Sequence, residues 1–177
     1  MWKNKENFIF RVGYIVLNEL KELVGKSNMG AKIVLLDEKN NSILLVRHNY
    51  KGKNLWYLPG GSVKNNERPD LTIKRELKEE IGIDLKSSLS LVGIYNSSGN
   101  IPGLTFLFYS KVIGNFVSDT KSEIEEAKYF KVNDIPKNIA PGVNERITDA
   151  LKVSNNVIWK EWWFIYEYWK TGHYHRY

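Results

Sequence analysis

The sequence predicts an α/β fold in which helices cover a mixed sheet. Short apolar runs with strand character alternate along the chain with segments whose apolar residues recur every three or four positions. The length of 177 residues suits one domain with a buried core and is too short for two full domains. We therefore expect a single domain over 1–177, with an N-terminal helix at 1–27, a core at 28–136 and helices at 137–177.

The predicted elements follow in order along the chain. A helix is predicted over 4–25, where apolar residues repeat at helical spacing before Gly25. The runs MGAKIVLL at 29–36 and SILLVRH at 42–48 flank a polar turn and predict a β-hairpin. The remaining predictions are a short strand at 56–58, a helix from about Pro69 to Gly82, strands at 89–96, 104–113 and 125–131, and helices at 143–152 and 156–170.

Composition excludes several functional classes. Cysteine is absent, which excludes disulfide scaffolds, thiolate zinc sites and cysteine catalysis. The same absence fits a reducing compartment, and we expect a cytoplasmic location. Charges interrupt every apolar stretch near the N-terminus, so we expect neither a signal peptide nor a membrane span there, and no membrane partner. The net charge of +6 is compatible with a phosphate-bearing partner but is too small to name one.

Three carboxylates on the helix predicted from Pro69 are the strongest functional signal. Glu76 and Glu80 lie four residues apart, and Glu79 lies three from Glu76, so all three project into one small region. Like charges this close repel, and a hard divalent cation such as Mg²⁺ removes the conflict because it takes oxygen ligands and leaves room for substrate phosphates. A solvated helix face is the alternative interpretation, because glutamate is common on exposed helices.

The residues around these carboxylates resemble the Nudix box. The stretch GSVKNNERPDLTIKRELKEEIGI follows Trp-Tyr-Leu-Pro-Gly-Gly and matches every defined position of that motif. The matching residues are Gly61, Glu67, Arg75, Glu76, Leu77, Glu79, Glu80, Gly82 and Ile83. With each fixed residue type at about 6% of an average composition, seven fixed positions coincide by chance about once in 10⁹ windows. The box is therefore specific to the family, although it does not identify a substrate.

The resemblance implies an α/β/α sandwich and metal-dependent hydrolysis of a phosphoanhydride bond in a nucleoside diphosphate linked to another moiety. It implies that Glu76, Glu79 and Glu80 are catalytic carboxylates that bind the metal, and that the Gly60 carbonyl is a further ligand. The cofactor would be Mg²⁺, with Mn²⁺ as a substitute. Glu76 acts as the general base in some relatives, and Glu123 matches the position of an extra ligand or base, with a charged strand edge as the equal alternative.

The other residues of the box are expected to support it. Glu67 and Arg75 resemble the pair that holds the loop against the helix. Gly61 permits close approach of the backbone near phosphates, and Gly82 suits a left-handed helix cap. Two positions depart from the family pattern: Lys64 replaces a common acidic residue, and Asn66 replaces a common glycine. Asparagine tolerates left-handed backbone geometry, so the turn can survive.

Two residues before the box are weaker substrate-binding candidates. Arg47 ends a strand that leads toward the box, and is either a phosphate contact or a surface charge. Trp56 either stacks on a base or lies in the core. The expected partner is a small nucleotide, whether a nucleotide sugar, a nucleoside triphosphate or a dinucleoside polyphosphate. Two alternatives remain. The protein is either a pyrophosphohydrolase that acts on RNA 5′ ends, although nucleic acid is the less expected partner, or a non-catalytic nucleotide sensor on the same fold. The sequence also leaves open whether the protein forms a homodimer, as many members of the family do.

The C-terminal segment 151–177 is unusually aromatic. It contains nine aromatic residues, including four of the six tryptophans of the chain. Those between 159 and 166 follow helical spacing, which favours a helix with one aromatic face. Three interpretations remain open for this segment: packing on the domain or on a second subunit, a contribution to the substrate pocket, or contact with a membrane or nucleic acid.

Overall fold

The structure, a computed structural model, describes residues 28–50, 54–97, 103–113, 123–152 and 157–162. The helix predicted over 4–25 and the aromatic residues after Trp162 lie outside these ranges. Among the described residues, no helix is long and apolar enough to cross a membrane.

A six-stranded mixed sheet lies at the centre of the described fold. Its strands are β1 (Asn28–Asp37), β2 (Ser42–His48), β3 (Ser90–Ser97), β4 (Gly103–Val112), β5 (Ile124–Lys131) and β6 (Ile158–Trp162). They are arranged in the order β5-β2-β1-β4-β3-β6. β1 pairs antiparallel with β2 and parallel with β4, while β6 pairs parallel with β3. The mixed sheet and the hairpin of β1 and β2 confirm the sequence prediction.

Two helices, α1 (Pro69–Ile81) and α2 (Val143–Leu151), cover opposite faces of the sheet. Successive residues of a strand point to opposite faces, and β1 follows this rule. Its residues Ala31, Ile33 and Leu35 belong to the apolar cluster that contains α1. Val34 and Leu36 belong to the cluster that contains α2. The result is an arrangement of three layers, helix, sheet and helix.

Helix α1 begins and ends where the sequence predicts. Pro69 occupies its first turn, where the missing N–H costs nothing, and Gly82 ends it in the left-handed conformation with φ 68°. The predicted apolar stripe of Ile73, Leu77 and Ile81 is 0%, 0% and 2% exposed. This stripe fixes the rotation of the helix, and therefore the direction in which its glutamates project.

The segment between β2 and α1 differs from the predicted short strand at 56–58. Trp56 and Tyr57 form only single bridges, to Ile139 and Val46 respectively. The chain then crosses to β1, where the N–H groups of Ala31 and Ile33 donate to the carbonyls of Gly61 and Pro59, at 2.9 and 3.1 Å. Pro59 has no N–H to donate, so a regular ladder cannot continue through it. This crossing places Gly60 and Gly61 between β1 and α1.

The helix predicted over 156–170 is wrong for residues 158–162, which form β6. These residues pair with β3 from Gly93↔Ile158 to Ser97↔Trp162. A Cβ at Gly93 would lie 2.7 Å from the Ile158 carbonyl oxygen, so glycine is what allows this close pairing. The edge of β3 has unpaired backbone N–H and C=O groups, and the segment is rich in residues that favour strands. Pairing with this edge therefore outweighs the helical spacing of the aromatic residues. This part of the aromatic segment therefore packs on the domain itself.

A polar cluster joins β6 to α2. The Lys160 ammonium lies 2.7 Å from Glu145 Oε1 and 2.8 Å from Asp149 Oδ2, and the Tyr95 hydroxyl donates to Asp149 Oδ2 at 2.7 Å. Burial alone would lower the pKa of Lys160, but its hydrogen bonds to Asp149 and Glu145 outweigh burial and raise that pKa. Lys160 therefore remains charged between two carboxylates.

We expect Lys160→Met to lower the free energy of unfolding by ~1–3 kcal/mol, because the buried Asp149 carboxylate loses its ammonium partner. Urea denaturation at neutral pH measures the change. The matched control is Lys137→Met, which removes an exposed lysine. Equal effects of the two substitutions would contradict a specific role for Lys160.

Candidate active site

Two glycines bring the backbone against the glutamates of α1. Gly60 has φ 118°, and its N–H donates to Glu80 Oε2 at 3.3 Å. Glu80 is only 7% exposed, so this backbone contact reaches a buried carboxylate. At Gly61, a Cβ would lie 2.3 Å from Glu76 Oε1, which shows that the carboxylate occupies the space that a side chain would fill.

Arg75 connects the loop before α1 to three carboxylates. Its Nε and Nη2 donate to the two oxygens of Glu67 at 2.7 and 2.9 Å. Its Nη1 donates to Glu76 Oε1 at 2.7 Å and to Glu79 Oε2 at 3.0 Å. Bidentate pairs of this kind are the strongest type of side-chain hydrogen bonding and are geometrically specific. Arg75 therefore holds the loop to the helix and also orients two of the three candidate ligands.

Arg75 and Glu67 shift each other's pKa. Hydrogen bonds from Arg75 hold the pKa of Glu67 at about 2. In return, hydrogen bonds to Glu67 raise the pKa of Arg75 above its ordinary value, and those to Glu76 add to the effect. Both groups are therefore charged at neutral pH, and the ion pair that attaches the loop to α1 is fully formed there.

Glu67→Gln is expected to remove a pH-dependent part of the stability. Because the pKa of Glu67 in the folded state is depressed from 4.5 to about 2, its contribution is fully present above pH 4.5 and is lost as the pH falls toward 2. The difference in Tm between wild type and variant should thus be largest near neutral pH and shrink below pH 4.5. Thermal melts across a pH series measure it, and a difference that does not vary with pH would contradict the assignment.

Lys32 is a member of the site that sequence reasoning missed. Its ammonium donates to the carbonyl of Gly60, the same carbonyl that the resemblance assigns as a metal ligand. The available signal was a single charged residue inside the apolar run MGAKIVLL. Only the crossing of the chain between β1 and α1 shows what that charge contacts.

The donor set fits a hard divalent cation by chemistry and by charge. Carboxylate oxygens of Glu76, Glu79 and Glu80 and the Gly60 carbonyl are the ligand types that Mg²⁺ prefers. The contacts described above involve four carboxylates, those of Glu67, Glu76, Glu79 and Glu80, and two cations, Lys32 and Arg75, which gives these six side chains a net charge of −2.

The acidic side chains are not already gathered around a common point. Across the described ranges, no group of three or more acidic or histidine side chains is placed to hold an ion. Glu76 and Glu79 turn toward Arg75, and Glu80 turns toward the Gly60 N–H. Coordination of one ion by all three glutamates would therefore require a change in side-chain orientation. The Glu79 side chain is 53% exposed, so its rotation is sterically open.

The remaining predicted residues lie outside this cluster. Glu123 is exposed directly before β5, and its carbonyl accepts the N–H of Asn49 at 3.1 Å. Among the described residues, it belongs to no group of three or more acidic or histidine side chains that is placed to hold an ion. Its role as an extra ligand or base stays a prediction.

Arg47 and Trp56 contact each other. Arg47 forms ion pairs with Glu125 at 3.1 Å and Glu126 at 2.7 Å, and its guanidinium lies 5.1 Å from the centroid of the Trp56 ring. Trp56 is 5% exposed and belongs to the apolar cluster on the α2 side. This leaves little of its ring for stacking on a base. The substrate-binding role of both residues stays a prediction.

Comparison with known proteins identifies the family. Residues 26–151 match the model of the NUDIX domain. The chain belongs to the Nudix family. Among similar proteins, an ADP-ribose pyrophosphatase of Methanocaldococcus jannaschii is 36% identical over 104 residues, which cover 56% of this chain and 60% of that protein. An RNA pyrophosphohydrolase of a Marinomonas species is 37% identical over 59 residues, or 33% of this chain and 34% of that protein. This Nudix chain thus aligns with less than two thirds of the length of either relative.

Solved structures share the Nudix fold. The NUDIX domain of Shewanella oneidensis NrtR, in complex with ADP-ribose, matches with a TM-score of 0.63 at 17% identity, over 72% of this chain and 88% of that chain. A MutT NUDIX hydrolase of Burkholderia pseudomallei matches with a TM-score of 0.62 at 18% identity, over 70% and 98%. Together with the layers described above, these matches confirm the predicted α/β/α sandwich.

Proposed function

We propose that this Nudix protein hydrolyses a phosphoanhydride bond in a nucleoside diphosphate linked to another moiety, with Mg²⁺ as its cofactor and Mn²⁺ as a substitute. The observation that carries the proposal is the glutamate cluster on α1, in which Glu80 lies against Gly60, Glu76 lies against Gly61, and Glu79 shares Arg75 with Glu76. ADP-ribose is the first candidate substrate, because relatives from three organisms are named ADP-ribose pyrophosphatase. Nucleotide sugars, nucleoside triphosphates and dinucleoside polyphosphates share the same reactive bond.

The residues divide into those that would hold the metal and those that position them. Glu76, Glu79, Glu80 and the Gly60 carbonyl would hold Mg²⁺, which when bound neutralises phosphate charge and acidifies water. Arg75 and Glu67 keep the loop on the helix, so that Glu76 and Glu79 start from defined orientations. Little covalent chemistry is needed from the protein, so this positioning and the local electrostatics account for most of the expected rate enhancement.

In the proposed reaction, water adds to one phosphorus atom and the bridging oxygen leaves with the other phosphate. A carboxylate accepts the proton of the water. Glu76 and Glu123 are the two candidates for this base. Glu76 lies within the cluster against Gly61, whereas Glu123 would have to reach it from the start of β5.

Hydrolysis of RNA 5′ ends is the second candidate. Two relatives, from Marinomonas and Saccharophagus degradans, are named RNA pyrophosphohydrolase. The positive net charge of +6 is compatible with such a substrate. A nucleotide sensor that binds without turnover is the third, on the same fold, and the retained glutamate set argues against it.

A substrate panel in the presence of Mg²⁺ tests these alternatives. The panel contains ADP-ribose, a nucleotide sugar, a nucleoside triphosphate, a dinucleoside polyphosphate and a 5′-triphosphorylated RNA, and is scored by release of phosphate or nucleotide. Turnover that is fastest with ADP-ribose and stops with a chelator supports the proposal. Preference for the RNA favours the second candidate, and tight binding of ADP-ribose without turnover of any substrate favours the sensor.

A further inference from the structure

Lys32 reaches the site from an otherwise apolar strand. Its neighbours Ala31 and Ile33 are completely buried, and Lys32 itself is partly buried. A partly buried ammonium is stable only beside acceptors, and the Gly60 carbonyl accepts one of its hydrogen bonds. The N–H of the same glycine donates to Glu80 Oε2 at 3.3 Å. The backbone of Gly60 thus contacts both the Lys32 ammonium and a buried carboxylate of α1.

The Gly60 carbonyl cannot serve two cations equally well. It accepts the Lys32 ammonium in this structure, and it is also the backbone ligand expected for the divalent ion. Two cations on one carbonyl oxygen repel each other, and solvent screens this repulsion poorly where the groups are partly buried. An anion that contacts both cations would remove the conflict. The pyrophosphate of the proposed substrate is such an anion.

Building on the proposed function, we propose that Lys32 is a phosphate-binding residue. When the divalent ion takes the Gly60 carbonyl, the Lys32 ammonium leaves that carbonyl and donates to a non-bridging phosphate oxygen of the substrate. An ammonium is a compact point charge with three donors on a flexible stem, so Nζ can move while β1 stays in place.

The other cation of the site, Arg75, is held by the loop before α1. Its Nε and Nη2 donate to both oxygens of Glu67, which is not a candidate metal ligand. Arg47 is paired with two glutamates of β5 and lies over Trp56. The contact of Lys32 with Gly60 is to a neutral carbonyl, and a phosphate oxygen in its place would accept a stronger, charge-assisted hydrogen bond.

The test separates binding of the metal from binding of the substrate. Mn²⁺ is titrated into the protein without nucleotide and followed by electron paramagnetic resonance. Lys32→Met should bind Mn²⁺ several-fold more tightly than wild type, because a competing cation has been removed. The same variant should raise KM for ADP-ribose by about tenfold or more, the loss typical of one charged hydrogen bond, with a much smaller change in kcat. Lys32→Arg keeps the charge, so its KM should be close to that of the wild type.

Two controls separate the proposed role of Lys32 from a general effect of charge removal and from misfolding. Lys111→Met removes the same charge from an exposed position on β4 and should alter neither Mn²⁺ affinity nor KM. Thermal unfolding of each variant checks that the fold is intact, and Lys32→Gln replaces Lys32→Met if the latter does not fold. Weaker Mn²⁺ binding or an unchanged KM in the folded Lys32 variant would overturn the proposal. If wild type turns over no substrate of the panel, the proposed function fails and with it the phosphate role, while the Mn²⁺ titration still decides whether Lys32 competes for the carbonyl.

Discussion

Glu80→Gln is expected to lower kcat by about a hundredfold or more while the protein stays folded. The carboxylate is 7% exposed and accepts the Gly60 N–H, and glutamine keeps the volume and one acceptor oxygen for that N–H. What is lost is the negative charge, and therefore the affinity for a divalent cation. Glu79→Gln should lower kcat to a similar extent for the same reason. Steady-state kinetics with saturating Mg²⁺ measures both.

A matched control distinguishes this loss from a general effect of charge removal. Glu38→Gln removes a carboxylate that is paired with Lys111 at 2.6 Å, and it should leave kcat unchanged. Circular dichroism and thermal melts establish that each variant has the native fold. Near-wild-type turnover in both Glu79→Gln and Glu80→Gln, with native melting curves, would reject the assignment of the cluster.

Helix α1 could be predicted from the sequence because its signals are local. The apolar stripe, Pro69 in the first turn and Gly82 after the last are all set within one segment, and each is where the structure has it. Asn66 also adopts the left-handed conformation that its position in the motif requires, with φ 63°. Local signals thus give the order and spacing of Glu76, Glu79 and Glu80 along the helix.

The parts of the site that the sequence left unspecified depend on contacts between distant segments. Lys32 meets Gly60 only because the chain crosses from β2 to β1 before α1 begins. Residues 158–162 form a strand because they pair with the edge of β3. The presence of that edge cannot be read from the sequence of the segment itself. The orientations of Glu76 and Glu79 likewise depend on Arg75, whose guanidinium donates to both carboxylates. Periodicity and motif spacing carry no information on such contacts.

The two glycines before α1 should respond to substitution in opposite ways. At Gly60, a Cβ would lie 2.3 Å from the Ala31 carbonyl oxygen, and the φ of 118° is unfavourable for any other residue. Gly60→Ala should therefore lower the free energy of unfolding by about 3 kcal/mol or more, since the backbone of β1 cannot give way cheaply. Urea denaturation measures this loss.

At Gly61, the Cβ would instead meet Glu76 Oε1 at 2.3 Å, and a carboxylate at the end of a flexible side chain can move. Gly61→Ala should therefore change stability by only about 1 kcal/mol but lower kcat about tenfold or more, because the displaced carboxylate is a candidate ligand and base. Gly30→Ala is the matched control, since its Cβ would find its nearest atom, the Gly61 carbonyl oxygen, at an ordinary 3.6 Å. If Gly60→Ala and Gly61→Ala lost stability equally and activity equally, the division between a folding glycine and a site glycine would be wrong.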